Sequence, residues 1–140
     1  SWILDESGER IFKVNGKAVR LRDTFILEDA HGNELSEIQE KKLSVRDKMT
    51  IESGSTKATV HKRLIGIRDH YVIDVEGGED LKAHGNIVDH EYEIERDGDK
   101  IAEVSKKWFR VRDSYGVEIS PGEDAALLLA VVVAVEALTD

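Results

Sequence analysis

Apolar and polar positions along this chain change rhythm once. Up to Ile119 they alternate in short runs; from Ala125 to Val135 the sequence reads AALLLAVVVAV, eleven residues with no polar side chain. Alternation with period two is the mark of half-buried strands, and it is clear in Phe25 and Leu27, Met49 and Ile51, and Tyr71 and Ile73. The alternating part also repeats itself. Arg-Asp followed by alternating apolar residues begins RDTFILED at Arg22, RDKMTIES at Arg46, RDHYVIDV at Arg68 and RDSYGVEI at Arg112, with a degenerate copy, VDHEYEIE, at Val88. The aspartates fall at 23, 47, 69, 89 and 113, a period of 20 to 24 residues, which marks repeated supersecondary units.

Each unit reads as a hairpin. An alternating strand leads to a polar turn with glycine (ESGE, DAHGNE, SGST, EGGED, RDGDK), and a return strand follows with apolar-x-x-apolar spacing at Ile11/Val14, Leu35/Ile38 and Ile101/Val104. Two residues between apolar positions break strict alternation, so a β-bulge is expected in these return strands. Eleven strands are predicted, near 2–5, 10–14, 24–29, 34–40, 48–53, 57–62, 70–76, 80–85, 90–95, 100–106 and 114–119. Ser120-Pro121-Gly122-Glu123 then has the form of a capping box, which predicts a helix from Pro121.

A helix apolar on every side must be enclosed by protein or dissolved in lipid. Extended to Leu138 the run covers fourteen residues and includes Glu136. That is a length of about 21 Å, short of the roughly 20 apolar residues that a membrane span needs. A meander of so many strands exposes its edges unless it closes, and a barrel of about 12 strands leaves a lumen that a helix can fill. The expected fold is therefore mostly β with one buried helix. In detail it is a closed antiparallel meander barrel of about 12 strands around a hydrophobic C-terminal α-helix, with residues 1–140 as a single domain. Trp2-Ile3-Leu4-Asp5-Glu6 looks like a repeat that starts mid-unit, so an N-terminal strand is expected to be missing.

Composition narrows the function classes. The 140 residues carry a net charge of -9, and there is no cysteine. Disulfides and thiolate metal sites are thereby excluded, and nucleic acid is not an expected partner for so acidic a molecule. A cytoplasmic location is expected. The acidity hides a polarity, however. Placed on a meander, the glycine turns form one rim, which is acidic apart from Arg96, and the crossovers form the other, which holds most of the 20 bases. An anionic-ligand or partner site is expected on that basic rim, at Lys41, Lys42, Lys62, Arg63, Lys106, Lys107 and Arg110. The bland alternative is a ladder of salt bridges in which Asp23, Asp47, Asp69 and Asp113 neutralise the arginines that precede them. Glu136, in the last turn of the helix, is expected to pair with a rim arginine.

Stepwise K-K-φ-x-φ-R-D motifs, the segment SKKWFRVRDSYGVEI, and P-G-E-D before an apolar helix resemble the LURP-one-related family. That family belongs to the tubby C-terminal-like superfamily, which includes the phospholipid scramblases. The resemblance spans the chain and is most specific from Asp89-His90-Glu91-Tyr92-Glu93-Ile94 to Ala134. It implies a twelve-stranded barrel around a hydrophobic helix, whereas eleven strands are counted here. It also implies a link to plant defence among relatives and, through tubby domains, phosphoinositide binding.

Other chemistry finds little support. His31, His61, His70, His84 and His90 match no zinc spacing, Asp97-Gly98-Asp99 lacks the rest of a calcium loop, and Trp108-Phe109 among lysines is a thin nucleic-acid signal. No nucleophile elbow, P-loop or dinucleotide fingerprint occurs. The reading is a non-enzymatic binding module with no cofactor, no metal and no catalytic residue. It would meet an anionic phospholipid headgroup or a protein partner at the basic rim. The alternative is a hydrolase-type enzyme with its site at a barrel mouth.

Overall fold

A computed structural model describes residues 2–4, 7, 9–19, 22–41, 48–65, 68–107 and 115–139. Eleven strands form one antiparallel sheet in chain order. They are β1 (Trp2–Leu4), β2 (Arg10–Val19), β3 (Arg22–Asp29), β4 (Glu34–Glu40), β5 (Lys48–Ser53), β6 (Thr56–Ile65), β7 (Arg68–Val75), β8 (Leu81–Asn86), β9 (Glu91–Arg96), β10 (Asp99–Ser105) and β11 (Gly116–Ile119). One helix, α1 (Ala125–Thr139), follows.

The repeats are the hairpins of this meander, and the apolar-x-x-apolar signature marks its irregularities. Pairing steps from Leu27↔Ser36 to Glu28↔Glu34, from Ile3↔Phe12 to Leu4↔Arg10, and from Lys100↔Glu95 to Ala102↔Ile94. The residues passed over are Leu35, Ile11 and Ile101. Each is the first apolar residue of a return strand, so the extra residue that lets two neighbouring positions face the core is the bulge itself. Ile101 and Ala102 are accordingly both buried. Between β9 and β10, Asp97 and Gly98 both have positive φ, 51° and 82°, the two-residue turn whose twist matches the flanking strands.

Alternation gives the sheet an apolar inner face. Leu27, Ile38, Ile51, Val60, Ile73, Ala83, Ile94 and Val104 are all at or below 1 % exposure, one position from each of β3 to β10. α1 lies on this face against β3, β4, β5, β6 and β11. Residues Leu127 to Val132, Ala134 and Val135 are buried. At 3.6 residues per turn those positions point in every direction, so the sheet curls round the helix. The interior is a filled core, as the apolar run requires.

Two expectations need correction. The first is closure. Among the described residues no ladder joins β1 to β11, and the sheet runs from one free edge to the other. β1 has three residues and β11 four, too short to supply the continuous pairing that a closed barrel needs. The second is the start of the helix. Glu123 N donates to Ser120 O at 3.3 Å, and Gly122 has φ +86°; Ser-Pro-Gly-Glu is therefore a turn with glycine at its third place. Asp124 is the cap instead, its Oδ1 accepting from Leu127 N at 3.1 Å.

Glu123 is used differently. It accepts two hydrogen bonds from Arg96 at the end of β9, at 3.0 and 2.8 Å, and this fork ties the helix entry to the acidic rim. Beside it Ser36 Oγ and Ser53 Oγ, both buried, share a 2.8 Å hydrogen bond beneath the first turn. The helix thus enters at the turn rim, where β11 delivers the chain, and runs toward the crossover rim.

Burying each large helix residue stabilises by about 1.5–3 kcal/mol, so the run rivals the entire net stability of a domain. A chain ending at Ser120 is expected to lose its cooperative thermal transition, as followed by circular dichroism and calorimetry. Arg96 holds the Glu123 carboxyl below its ordinary 4.5. A carboxyl with a lowered folded pKa stabilises above the unfolded value and loses that contribution as pH falls through the folded one. Stability is therefore expected to drop below about pH 4.5, and Glu123→Gln should remove about 0.5–1 kcal/mol at pH 7 while flattening that drop. Urea titrations of both proteins from pH 7 to 3 measure it.

Candidate functional site: the crossover rim

The crossover rim is built from the ends of β4, β6, β8 and β10 and from the last turn of α1. Register decides which of its cations meet. Lys41 N donates to Lys48 O at 2.9 Å, Lys48 stands opposite His61, and Lys62 and Arg63 follow His61 in β6. Lys62 faces Tyr71 and Arg63 faces His70. Lys41, Lys48 and Arg63 therefore share the outer side of three adjacent strands, with Lys41 and Arg63 exposed, whereas Lys62, opposite buried Tyr71, stands on the inner side of β6 at the rim. Lys48 was not among the residues expected from the sequence. The sequence puts it on the basic rim, and the register sets it beside Lys41.

Lys106 and Lys107 belong elsewhere. They follow β10, four strands from β6, and acids surround them. Lys106 Nζ is 4.0 Å from Asp89 Oδ1 and Lys107 Nζ is 3.1 Å from Glu103 Oε2. Glu91 adds to this, accepting from Ser105 Oγ at 2.7 Å and from the Lys106 amide at 2.9 Å; these hydrogen bonds hold its carboxyl below the usual range. Charge here is balanced rather than accumulated. Lys42 and Arg110 lie outside the described residues. So do Asp47 and Asp113, and with the side chains of Asp23 and Asp69 they make up the expected aspartate ladder. Trp108 and Phe109 also lie outside them.

Inside the rim the helix ends in a polar cluster. Tyr92 Oη donates to Glu136 Oε1 at 2.8 Å. His90 Nδ1 lies 2.7 Å from Glu136 Oε2 without an aligned hydrogen bond, and the His90 ring stacks on Tyr115 with centroids 4.7 Å apart. Tyr71 Oη and Thr139 Oγ1 share a 2.8 Å hydrogen bond, and Thr139 Oγ1 donates to Val135 O at 2.7 Å. The expectation that Glu136 meets a rim arginine is corrected: tyrosine and histidine take that place. Burial, with the Glu136 charge beside it, pushes the Tyr92 hydroxyl far up, so it remains a neutral donor. His90 reaches this position from a left-handed backbone, φ 57°, a conformation that histidine tolerates better than most residues.

Two further histidines also sit beside acids. His61 Nε2 is 3.0 Å from Asp74 Oδ2, and His84 Nε2 contacts Glu95 Oε1. A shallow groove of about 410 Å³ opens over β8, β9 and β10, lined by His84, Gly85, Glu91, Tyr92, Glu93, Glu103 and Val104. Among the described residues, no helix is long and apolar enough to cross a membrane.

The profile of the LURP-one-related family matches residues 1–136. With nearly the whole chain covered, this protein belongs to the LURP-one-related family. Nothing among curated proteins or solved structures matches it.

Glu136 is the sole charged side chain of α1 and its carboxylate is mostly buried. Tyr92→Phe removes its aligned donor and is expected to cost about 1–3 kcal/mol. Glu136→Gln, which keeps an acceptor for Tyr92, should cost less. Chemical denaturation of the two variants gives the ranking.

Proposed function

We propose that the protein is a non-enzymatic binding module whose crossover rim takes the phosphate of an anionic membrane lipid. The carrying observation is that Lys41, Lys48 and Arg63 share the outer side of β4, β5 and β6 toward the rim, with Lys62 at the inner side of the same edge. A patch of this kind, on a molecule of net charge -9, orients approach as well as attracting the ligand. The acidic turn rim is repelled by the negative cytoplasmic leaflet while the basic rim is drawn to it, at about 1 kcal/mol per surface cation. Helix filling supports the same reading, because the lumen offers no room for a carried ligand and leaves rim and outer face to do the binding. The tubby-like resemblance points the same way, since tubby domains bind phosphoinositides. Lys42, next in sequence to Lys41, is part of the proposed surface; Lys106 and Lys107 form its far side, where neighbouring acids weaken the field.

The hydrolase alternative has less behind it. The acid and histidine nearest the mouth, Glu136 and His90, are committed to one another and to two tyrosines.

Vesicle flotation tests the proposal. At low salt the protein is expected to float with vesicles containing phosphatidylinositol phosphates and not with pure phosphatidylcholine. Lys41→Glu with Arg63→Glu should abolish flotation, whereas Lys106→Glu with Lys107→Glu should weaken it only partly. Absence of flotation, or flotation untouched by the first pair, overturns the reading.

A further inference from the structure

The outer face of β8 and β9 carries a constellation that the rim does not use. Alternation sends His84 to the side opposite buried Ala83, and the register places it directly across from Glu93, with Glu95 one step further along β9 opposite Lys82. Direct cross-strand neighbours stand about 4.5–5.5 Å apart at Cβ and diagonal ones about 7–8 Å, within reach of two glutamates turning toward one imidazole. They do turn. One ligand atom from each of His84, Glu93 and Glu95 lies within 4.8 Å of the other two, and all three residues are half-buried.

The charges of this cluster are unevenly met. Glu103, directly opposite Glu93 on β10, is neutralised by Lys100 at 2.9 Å and Lys107 at 3.1 Å, and these lysines hold its carboxyl below the usual range. Glu95 contacts the His84 ring and has no other ion pair among the described residues, although Lys82 and Lys100 stand opposite it in the register. Among the described residues Glu93 has no hydrogen bond or ion pair, and Lys100 acts on it only at longer range. Two carboxylates turned on one imidazole repel each other, and a single neutral or singly charged ring cannot offset both. The groove over this spot leaves room for an ion and its water. Its wall is fixed by Gly85, φ +133°, where a Cβ would come within 2.8 Å of Glu91 O and 2.9 Å of Tyr92 Cα; no side chain can fill the space there.

We propose that His84, Glu93 and Glu95 form a binding site for a divalent transition-metal ion of the zinc type. A tetrahedral ion with nitrogen and oxygen ligands at about 2.0–2.2 Å holds its ligand atoms roughly 3.4 Å apart. Small rotations of two glutamate side chains bring the present 4.8 Å envelope to that size. One imidazole and two carboxylates suit zinc or manganese, whereas calcium takes six to eight oxygens. Water completes the coordination on the groove side. The ion bridges β8 and β9 and replaces carboxylate repulsion with a shared cation, so binding also stabilises the fold.

The test uses the full chain without a histidine tag, stripped with EDTA and dialysed. Zinc chloride is titrated calorimetrically and by thermal shift, with manganese, magnesium and calcium chlorides in parallel. One zinc per chain, with a raised melting temperature, is expected. His84→Ala and Glu93→Gln should each weaken affinity at least tenfold, and Lys41→Glu with Arg63→Glu should leave it unchanged. Should either site variant fold poorly, the imidazole resonances of the unaltered protein provide the readout, with one histidine shifting in step with the first equivalent of zinc. No zinc binding up to 1 mM, zinc binding that survives the double variant His84→Ala/Glu93→Gln, or a preference for calcium overturns the proposal.

Discussion

The enclosure of α1 is the constraint on which the rest depends. No orientation of AALLLAVVVAV presents a polar face to water, so the chain must supply wall on every side. It does so by repeating one hairpin until the inner faces of β3 to β10 surround the helix. Sheet length, the open meander order and the curvature all answer to that requirement. So does the sparing use of polarity inside, where Ser36 and Ser53 bond to each other and the terminal cluster of Glu136, Tyr92 and His90 sits only where the helix reaches the rim.

Enclosure also settles where function can live. A plugged interior sends ligand chemistry outward, and the meander sorts outward chemistry by strand row. One row across the outer face runs Arg63, His70, His84, Glu93, Glu103 from β6 to β10. It passes from cation through imidazoles to carboxylates. The two proposed sites, one for an anion and one for a cation, therefore share one continuous surface without competing for residues.

Most of the fold was legible because its signals are local. Period-two alternation, glycine turns and a twenty-odd residue repeat each act within a few residues, and the bulges were readable from apolar spacing alone. Closure was not legible, since pairing between first and last strands depends on residues far apart in sequence. The helix start was misread because Ser-Pro-Gly-Glu satisfies both a capping box and a glycine turn; the competition was decided by Arg96, which recruits Glu123 from across the rim. For the site, the sorting of glycine turns and crossovers to opposite rims was legible, because it follows from the hairpin repeat alone. The distance between Lys106 and Lys41 was not legible, because a linear list of bases carries neither the five strands between them nor the acids that Asp89, Glu91 and Glu103 bring to one of them. His84, Glu93 and Glu95 escaped notice for the same reason: their spacing has meaning only through antiparallel register.

Among the described residues β1 and β11 pair on one side only, and this has a mechanical consequence. A closed barrel fixes its own radius through strand number and stagger. A sheet with two ends behaves like a spring wound on a mandrel, and its girth follows the object inside. Here the side-chain volumes of α1 set the diameter, and a thicker or thinner helix would open or tighten the seam before it broke a hydrogen bond in the ladder. Core and surface are thereby geared together, because each change of girth alters the spacing of the strand ends that carry Lys41, Lys48 and Arg63.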